Sequence, residues 1–349
     1  MRVDTRTAQW EGPRRDPRVA FKPMILQVSA QMFLVILVGW LARRRGYLSA
    51  ESTSALGRLI IDVTFPALIF TQVLKTMDQA VLLQQWYVPL LGAGFILAGQ
   101  LVGSALAPFV APKLQQPTVI FLVALSNWTF LPLPIAQALF GAAGTQAVLL
   151  MNIGAQALLW TLCVWRLARN AADTPSTLKL LMNPGLVATA ASVLLLLANA
   201  PVASWAKGVG AATGATLVLR NGFSALEMVA SLTVPLSMLV TGGQLAGAAE
   251  RGLRLTRPIV GVLAGRLLLT PLLMVLALAA TQRAGLRMAP IPVHVAALIA
   301  GMPAAVSCGA FCDRYGGDVD LATQVVFAST LAGLVTVPVL DGLLRWVAM

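Results

Sequence analysis

Charged residues are scarce in this sequence, and their scarcity indicates the class of protein. Only 11% of the 349 residues are Asp, Glu, Lys or Arg, whereas soluble domains carry roughly 25%. Hydrophobic residues make up 58% of the chain, and the mean hydropathy is +0.81. Because one membrane-spanning helix needs about 20 apolar residues, a chain of this length can cross a bilayer many times. The composition therefore predicts an all-α polytopic membrane protein.

Reactive and metal-binding side chains are also scarce, which argues against an enzyme. The chain has one histidine, and its three cysteines, Cys163, Cys308 and Cys312, lie in apolar surroundings without a Cys-x-x-Cys pair. This pattern supports neither a disulfide framework nor a zinc site. His-Glu-x-x-His, Gly-x-Ser-x-Gly and Walker A sequences are absent. We therefore expect no catalytic residue, no metal and no cofactor, and a driving force that comes from a gradient of substrate, protons or sodium.

The net charge of +12 lies between the apolar segments, which is typical of membrane orientation and argues against nucleic-acid binding. Loops after odd-numbered segments carry twelve Lys and Arg residues, and the other loops carry six. The first 23 residues add six more to the second side. The loop count predicts that the odd-numbered loops are cytoplasmic and that both termini lie outside the cytoplasmic membrane.

Ten apolar segments follow a polar, Arg-rich stretch of residues 1–23. That stretch has no apolar core of its own, so it is not a signal peptide. We expect a disordered tail, or a misplaced start codon with Met24 as the true first residue. The predicted segments are 24–42, 53–74, 87–108, 117–140, 145–168, 184–200, 222–247, 257–280, 291–312 and 320–347.

An internal repeat appears when the chain is shifted by 169 residues. The matched pairs are Pro66 with Pro235, Pro89 with Pro258, Gly92 with Gly261, and Pro134 with Pro303. Ten spans in two repeats give five spans each, and an odd number inverts the second repeat in the membrane. We therefore expect a first five-helix repeat at 24–170, a cytoplasmic linker at 171–183 and an inverted second repeat at 184–349.

The fourth and ninth spans each contain helix breakers at matching places. Pro132 and Pro134 interrupt the fourth, beside Asn127, and Pro303 interrupts the ninth. Unpaired backbone groups are tolerated in a membrane only where they line a cavity or are buried in protein. Inverted repeats with interrupted helices indicate a secondary transporter whose site lies near the bilayer midplane, where half-helix N-termini suit a carboxylate. The alternative is that these prolines simply kink transmembrane helices, where they are common.

Polar residues beside the breaks are the candidate substrate contacts. The Asn127 amide donates to a substrate carboxylate, or else it satisfies backbone groups that the prolines leave unpaired. The hydroxyl groups of Ser126, Thr129 and Ser307 contact substrate or cap the backbone. Asn152, Gln156 and Gln244 are further polar groups that we expect in the cavity.

Asp62 and Arg266 are the charged residues within the predicted spans that are candidates for function. Asp62 is a candidate coupling-ion site because intramembrane acids are costly and often functional. Arg58 lies four residues earlier, which is the spacing of an intrahelical ion pair, and we favour that pairing. Arg266 either complements the negative charge of a substrate or extends its guanidinium to the membrane interface.

Several segments resemble those of the auxin efflux carrier family, including its prokaryotic permease and malonate-transporter-like members. The resemblance extends over almost the whole chain after Met24. The matches share the order and spacing of the family's segments. The matching segments are "GWLARRRGYLSAES" (39–52), "FPALIF" (65–70), "SNWTFLPLPIAQALFG" (126–141), "NPGLVA" (183–188), "VPLSMLVTGGQLA" (234–246) and "GMPAAVSCGAFCDRYGGDVDLATQVV" (301–326).

The resemblance implies two inverted five-helix repeats with broken crossover helices 4 and 9, related to bile-acid and sodium–proton transporters. It implies a scaffold of spans 1, 2, 6 and 7, which often forms a homodimer, and a mobile unit of the other six spans. Asn127 occupies the family's crossover amide position, whereas Ser307, Cys308 and Trp128 depart from its usual pattern. The predicted substrate-binding residues are Asn127, Ser126, Thr129, Pro132, Pro134, Pro303, Ser307 and Arg266.

The sequence as a whole predicts a secondary transporter of a small organic anion, such as a mono- or dicarboxylate or an auxin-like acid. The anion is expected at the crossing of the broken helices and is carried by an elevator-type movement. The alternatives are a proton- or sodium-coupled exchanger that uses Asp62, a membrane sensor that binds ligand without moving it, and an intramembrane enzyme.

Overall fold

A computed structural model describes residues 17–129, 131–170, 182–207, 214–250, 252, 254–286 and 288–347. Within these residues the chain is helical and contains no β-strand, only one isolated bridge. Five helical stretches are long and apolar enough to cross a membrane: Ala50–Thr76, Tyr87–Val110, Pro132–Leu167, Thr216–Glu250 and Arg257–Arg283. Shorter apolar helices cover Pro184–Leu197, Pro290–Ala300 and Val319–Gly333.

The first half of the described chain forms eight α-helices. They are α1 (Pro17–Arg44), α2 (Ala50–Leu59), α3 (Phe65–Thr76), α4 (Gln79–Gln84), α5 (Tyr87–Val110), α6 (Gln116–Ala124), α7 (Pro132–Leu158) and α8 (Val164–Leu167). A π-helical turn joins α2 to α3 at Ile60–Thr64, and another joins α7 to α8 at Leu159–Cys163.

The second half continues with nine further helices. They are α9 (Pro184–Leu197), α10 (Pro201–Ala206), α11 (Ala215–Ser231), α12 (Thr233–Glu250), α13 (Arg257–Ala264), α14 (Thr270–Arg283), α15 (Pro290–Ala300), α16 (Cys308–Tyr315) and α17 (Val319–Val347). A third π-helical turn joins α13 to α14 at Gly265–Leu269.

Two segments predicted from the sequence, the tail and the linker, can be compared with the described residues. Helix α1 begins at Pro17, so the last part of the expected disordered tail (1–23) is helical. Residues 1–16 lie outside the described residues, and so does 171–181, which is most of the expected linker 171–183.

Proline chemistry favours the start of α7 at Pro132. Pro132 and Pro134 have no N–H, so an unbroken helix through this region would lack two hydrogen bonds of its ladder. Both fall in the first turn of α7, where N–H groups have no intrahelical partner in any case. Further along, Gly141 has φ 59° and ψ −142°, a conformation that favours glycine, and it kinks α7. The kink lies between the fourth and fifth predicted segments, which no loop separates.

The two interruptions meet in the structure and satisfy each other's backbone. Asn127 N–H donates to the Pro303 carbonyl oxygen at 2.9 Å, and Ala305 N–H donates to the Leu125 carbonyl oxygen at 3.1 Å. These two bonds flank an antiparallel bridge between Ser126 and Ala304. Because lipid offers no partner to a backbone N–H, this mutual pairing makes both breaks tolerable inside a membrane protein.

Small residues bring the helices around the breaks into close contact. A Cβ atom on Gly92 of α5 would clash with the backbone of Met151 in α7, and one on Gly39 of α1 would clash with the backbone of Leu239 in α12. Membrane helices pack through small residues in this way because apolar burial gives little advantage over lipid. The close packing fixes α5 against the broken helices.

Candidate functional site

A pocket lies where the two interruptions meet. It encloses about 620 Å³ of empty space, which includes space open to the outside. Five parts of the chain line it: residues 60–65, Ile96 of α5, the first break with residues 152–160, Asn183 before α9, and the second break with the start of α16. The lining residues are Ile60, Ile61, Phe65, Ile96, Leu125, Ser126, Asn127, Trp128, Thr129, Asn152, Ala155, Gln156, Leu159, Trp160, Asn183, Ala305, Ser307 and Phe311.

Asn127 is buried in the first break and lines the pocket. Its main chain bonds to Pro303, as described above, and its side-chain Oδ1 accepts a hydrogen bond from the Leu131 N–H at 3.4 Å. The amide therefore does satisfy backbone near the start of α7, which is one of the two roles that the sequence left open. Its position in the pocket wall is compatible with the other role, which is a hydrogen bond to a substrate carboxylate.

The hydroxyl groups of the first break are held by neighbouring residues. Ser126 Oγ donates to the Ile299 carbonyl oxygen of α15 at 3.1 Å. Thr129 Oγ1 accepts from Asn152 Nδ2 at 2.6 Å, which ties the break to α7. All three side chains are buried, and the three residues line the pocket. These bonds fix the shape of the wall.

The predicted prolines lie beside the pocket and do not line it. Pro132 and Pro134 stand in the first turn of α7 and remove two N–H donors there. Pro303 is buried in the second break, where its carbonyl accepts from the Asn127 N–H. The start of α16 contains no proline, so its first turn keeps its N–H groups.

Ser307 is the N-cap residue of α16 and lines the pocket. Its side chain makes no capping hydrogen bond, and its carbonyl oxygen accepts from the Phe311 N–H at 2.9 Å. The N-terminus of a helix carries partial positive charge, so α16 presents a favourable environment for an anion at this wall.

Arg266 lies behind the pocket. It is fully buried within the π-helical turn between α13 and α14, so it does not extend to an interface. Its guanidinium donates to carbonyl oxygens at the C-terminal ends of both interrupted helices. The acceptors are Val123 at 3.3 Å, Ile299 at 3.4 Å, Ala300 at 3.0 Å and Met302 at 3.3 Å. A cation suits these ends because helix C-termini carry partial negative charge.

The expected ion pair between Arg58 and Asp62 is wrong. Asp62 bonds instead to Arg314 of α16, with Nη1–Oδ1 and Nη1–Oδ2 distances of 3.0 and 3.3 Å, and Arg58 donates to Ser54 Oγ. Asp62 lies in the π-helical turn at Ile60–Thr64, and α16 brings Arg314 within hydrogen-bond distance of its carboxylate.

The pocket is apolar apart from a few fixed dipoles. None of its described lining residues carries a charge. Gln156 Oε1 accepts from Trp160 Nε1 at 2.8 Å, and Asn183 Oδ1 accepts from the Gly185 N–H at 2.8 Å. Among the residues that the structure describes, no group of three His, Cys, Asp or Glu side chains could hold a metal ion.

Aromatic residues form much of the wall, and sequence reasoning missed most of them. Trp160 and Phe311 pack together with ring centroids 5.2 Å apart, and Trp128 packs edge-on against Phe95 at 5.0 Å. The Trp128 Nε1 atom is buried without a hydrogen-bond partner among the described residues. An aromatic residue in an apolar helix gives no sign in the sequence of which face it occupies. Asn152 and Gln156 were predicted as cavity residues and do line the pocket, whereas Gln244 does not.

Comparison with models of protein families gives a match over most of the chain. A family model described as "Membrane transport protein" matches residues 24–340, which include both interruptions and every pocket residue. No curated protein matches the chain.

Proposed function

Because this chain belongs to the membrane transport protein family, which comprises the auxin efflux carriers and their relatives, we propose that it is a secondary transporter of small organic anions. The chain is a multi-pass membrane protein, and its place is the cytoplasmic membrane. The substrate site in this proposal is the pocket at the meeting point of the two interrupted helices.

The mutual pairing of the two breaks is the observation that carries the proposal. The bridge between Ser126 and Ala304 brings the ends of four half-helices to one place inside the protein. Interrupted membrane helices of this kind form substrate sites in secondary transporters because their ends supply dipoles without full charges. The pocket lies directly beside this bridge, and both breaks contribute to its walls.

The packing of the helices supports an elevator-type movement. We define a support group (α1–α3, α9, α11 and α12) and a crossover group (α5–α8 and α13–α17). The most extensive helix contacts, such as α1 with α12 and α5 with α7, join members of the same group. The pocket lies between the groups, with Ile60, Ile61, Phe65 and Asn183 from the support group and the remaining lining residues from the crossover group. A sliding movement of one group past the other would carry the pocket contents with it.

The chemistry of the lining favours a monocarboxylate with an apolar body over a dicarboxylate. One carboxylate finds partial positive charge at the start of α16. A second carboxylate would find no charged partner among the described lining residues, and desolvation of an unpaired charge is costly. The aromatic wall of Phe65, Trp160 and Phe311 suits an apolar body.

Coupling through Asp62 has less support than transport itself. Asp62 does not line the pocket, and its carboxylate pairs with Arg314. No observation therefore favours a proton- or sodium-coupled exchanger that uses this residue.

The experiment is a thermal-shift measurement on the detergent-purified protein with malonate, benzoate, phenylacetate and indole-3-acetate. We expect at least one monocarboxylate to stabilise the protein more than malonate does. The stabilising acid is then tested by counterflow of its labelled form into sealed proteoliposomes. Stabilisation without counterflow would identify a sensor, and no stabilisation by any acid would contradict an organic-anion carrier.

A further inference from the structure

The ion pair between Asp62 and Arg314 joins the two walls of the pocket. Asp62 lies in the π-helical turn of the support group, and Arg314 lies in α16 of the crossover group. The two residues are 252 positions apart in the chain. Their side chains are 35% and 47% exposed, so the surrounding protein does not enclose the pair.

The pair lies beside the pocket, next to residues that line it. Ile60 and Ile61, immediately before Asp62, line the pocket, and so does Phe311, one helical turn before Arg314. Since both neighbours face inward while the charged pair is half-exposed, an anion that approaches the pocket from this side meets Arg314 before it meets the uncharged lining.

The guanidinium of Arg314 has unused donors. Both Asp62 oxygens contact the same nitrogen, Nη1, and the described residues supply no hydrogen-bond acceptor for Nη2 or Nε. Guanidinium groups bind carboxylates through two parallel N–H bonds, a geometry that this pair does not use. A substrate carboxylate is chemically the same ligand as the Asp62 side chain and can exchange with it.

We propose that Arg314 is a docking position for the substrate carboxylate at the mouth of the pocket, and that Asp62 occupies it when substrate is absent. The proposal rests on the proposed function, since it requires an anionic substrate. Asp62 acts as an internal competitor, and the exchange breaks the link between the two walls as the anion arrives. Exposed ion pairs contribute little to stability, so replacing the Asp62 carboxylate by a substrate carboxylate at Arg314 costs little free energy.

Opposite effects of the two single substitutions distinguish this role from a structural one. Asp62→Asn removes the competitor and leaves Arg314 available, so the dissociation constant for a carboxylate should fall by about fivefold. Arg314→Gln removes the docking group, so the same constant should rise by about tenfold. The double variant should behave as Arg314→Gln alone, because Asp62 acts only through Arg314. A purely structural pair would give the same direction of change in both single variants.

The test uses the full-length protein and whichever of the four acids stabilises the wild type most, with its dissociation constant taken from the concentration dependence of the thermal shift. The matched control is the ion pair between Lys75 and Glu227, whose Nζ–Oε1 distance is 2.6 Å and whose residues do not line the pocket. Lys75→Gln and Glu227→Gln should leave the dissociation constant unchanged.

The outcomes separate this proposal from the function on which it rests. If no acid stabilises the wild type, the proposed function fails, and this docking position fails with it. If an acid binds the wild type and Asp62→Asn binds it equally or more weakly, only the docking position is overturned. Should Arg314→Gln not fold, Arg314→Lys replaces it. Lysine lacks the planar fork, so its affinity should be below that of the wild type, and equal or tighter binding overturns the proposal.

Discussion

The hydroxyl of Thr233 donates a hydrogen bond to the main-chain oxygen of Thr64 at a distance of 2.8 Å, and 169 residues separate the two. This separation is the same as the shift that aligns Pro66 with Pro235 in the sequence. Residues near a two-fold axis contact their own equivalents, so the bond supports the proposed pair of inverted repeats. A helix irregularity accompanies each threonine: the π-helical turn at Ile60–Thr64 and the end of α11 at Ser231.

The two threonines should respond differently to the same substitution. Thr233→Val removes the donor of a buried hydrogen bond and should lower the free energy of unfolding by about 1 kcal/mol. The Thr64 hydroxyl is buried without a hydrogen-bond partner among the described residues, so Thr64→Val should be neutral or stabilising. Thermal unfolding of both variants in the same detergent is the measurement. Equal destabilisation by the two would contradict the assigned bond.

Arg266 should be essential for the stability of the crossover. Arg266→Gln would remove the Arg266 donor from the carbonyl oxygens of Val123, Ala300 and Met302, with an expected cost of about 1–3 kcal/mol for each oxygen left unpaired. Arg266→Lys should restore little of this stability, because an ammonium group cannot reach all the acceptors that a planar guanidinium spans. Thermal unfolding checks both variants. Arg283→Gln at the exposed end of α14 is the control and should change stability little. A thermal midpoint of Arg266→Gln near that of the control would show that the hydrogen bonds of Arg266 are dispensable for stability.

Two substitutions of Asn127 should distinguish a structural role of this residue from a direct contact with the substrate. Asn127→Asp keeps an oxygen that can accept from the Leu131 N–H but adds negative charge to the pocket wall. We expect it to retain the fold and to weaken binding of a carboxylate by about tenfold, because like charges repel in a site of low dielectric. Asn127→Ala should lower both stability and affinity. The readouts are the thermal midpoint without ligand and its shift with the stabilising acid. Undiminished affinity in the Asp variant would remove Asn127 from the substrate site.

Two glycines of α5 provide a test of the close packing between α5 and α7. Gly92→Ala places a methyl group against the Met151 backbone, and such overpacking typically costs about 1–3 kcal/mol. Gly94 lies two residues away, and a Cβ atom there would meet nothing within 4 Å. Gly94→Ala should therefore be neutral or stabilise by up to about 1 kcal/mol, the difference in helix propensity. Comparison of the two thermal midpoints checks the prediction, and a tolerated Gly92→Ala would mean that α5 and α7 are farther apart.

The sequence by itself determined the membrane class and the positions of the breaks. Hydropathy is a sum over single residues, and the missing N–H of Pro132, Pro134 and Pro303 is a property of proline wherever it stands. Both features could therefore be predicted without knowing which residues lie nearby in the folded protein. For the same reason Asn127 could be found, since an amide beside a broken membrane helix is unusual whatever surrounds it.

Only the tertiary structure decided which side chains form ion pairs and hydrogen bonds with one another. Asp62 pairs with Arg314 instead of Arg58, because α16 brings Arg314, 252 positions away in the chain, within 3.0 Å of its carboxylate. Arg266 binds carbonyls behind the pocket, although its charge alone fitted a substrate contact equally well. The physical reason is that hydrogen bonds and ion pairs depend on distances of about 3 Å. Between residues far apart in the chain, such distances are fixed only when the helices pack.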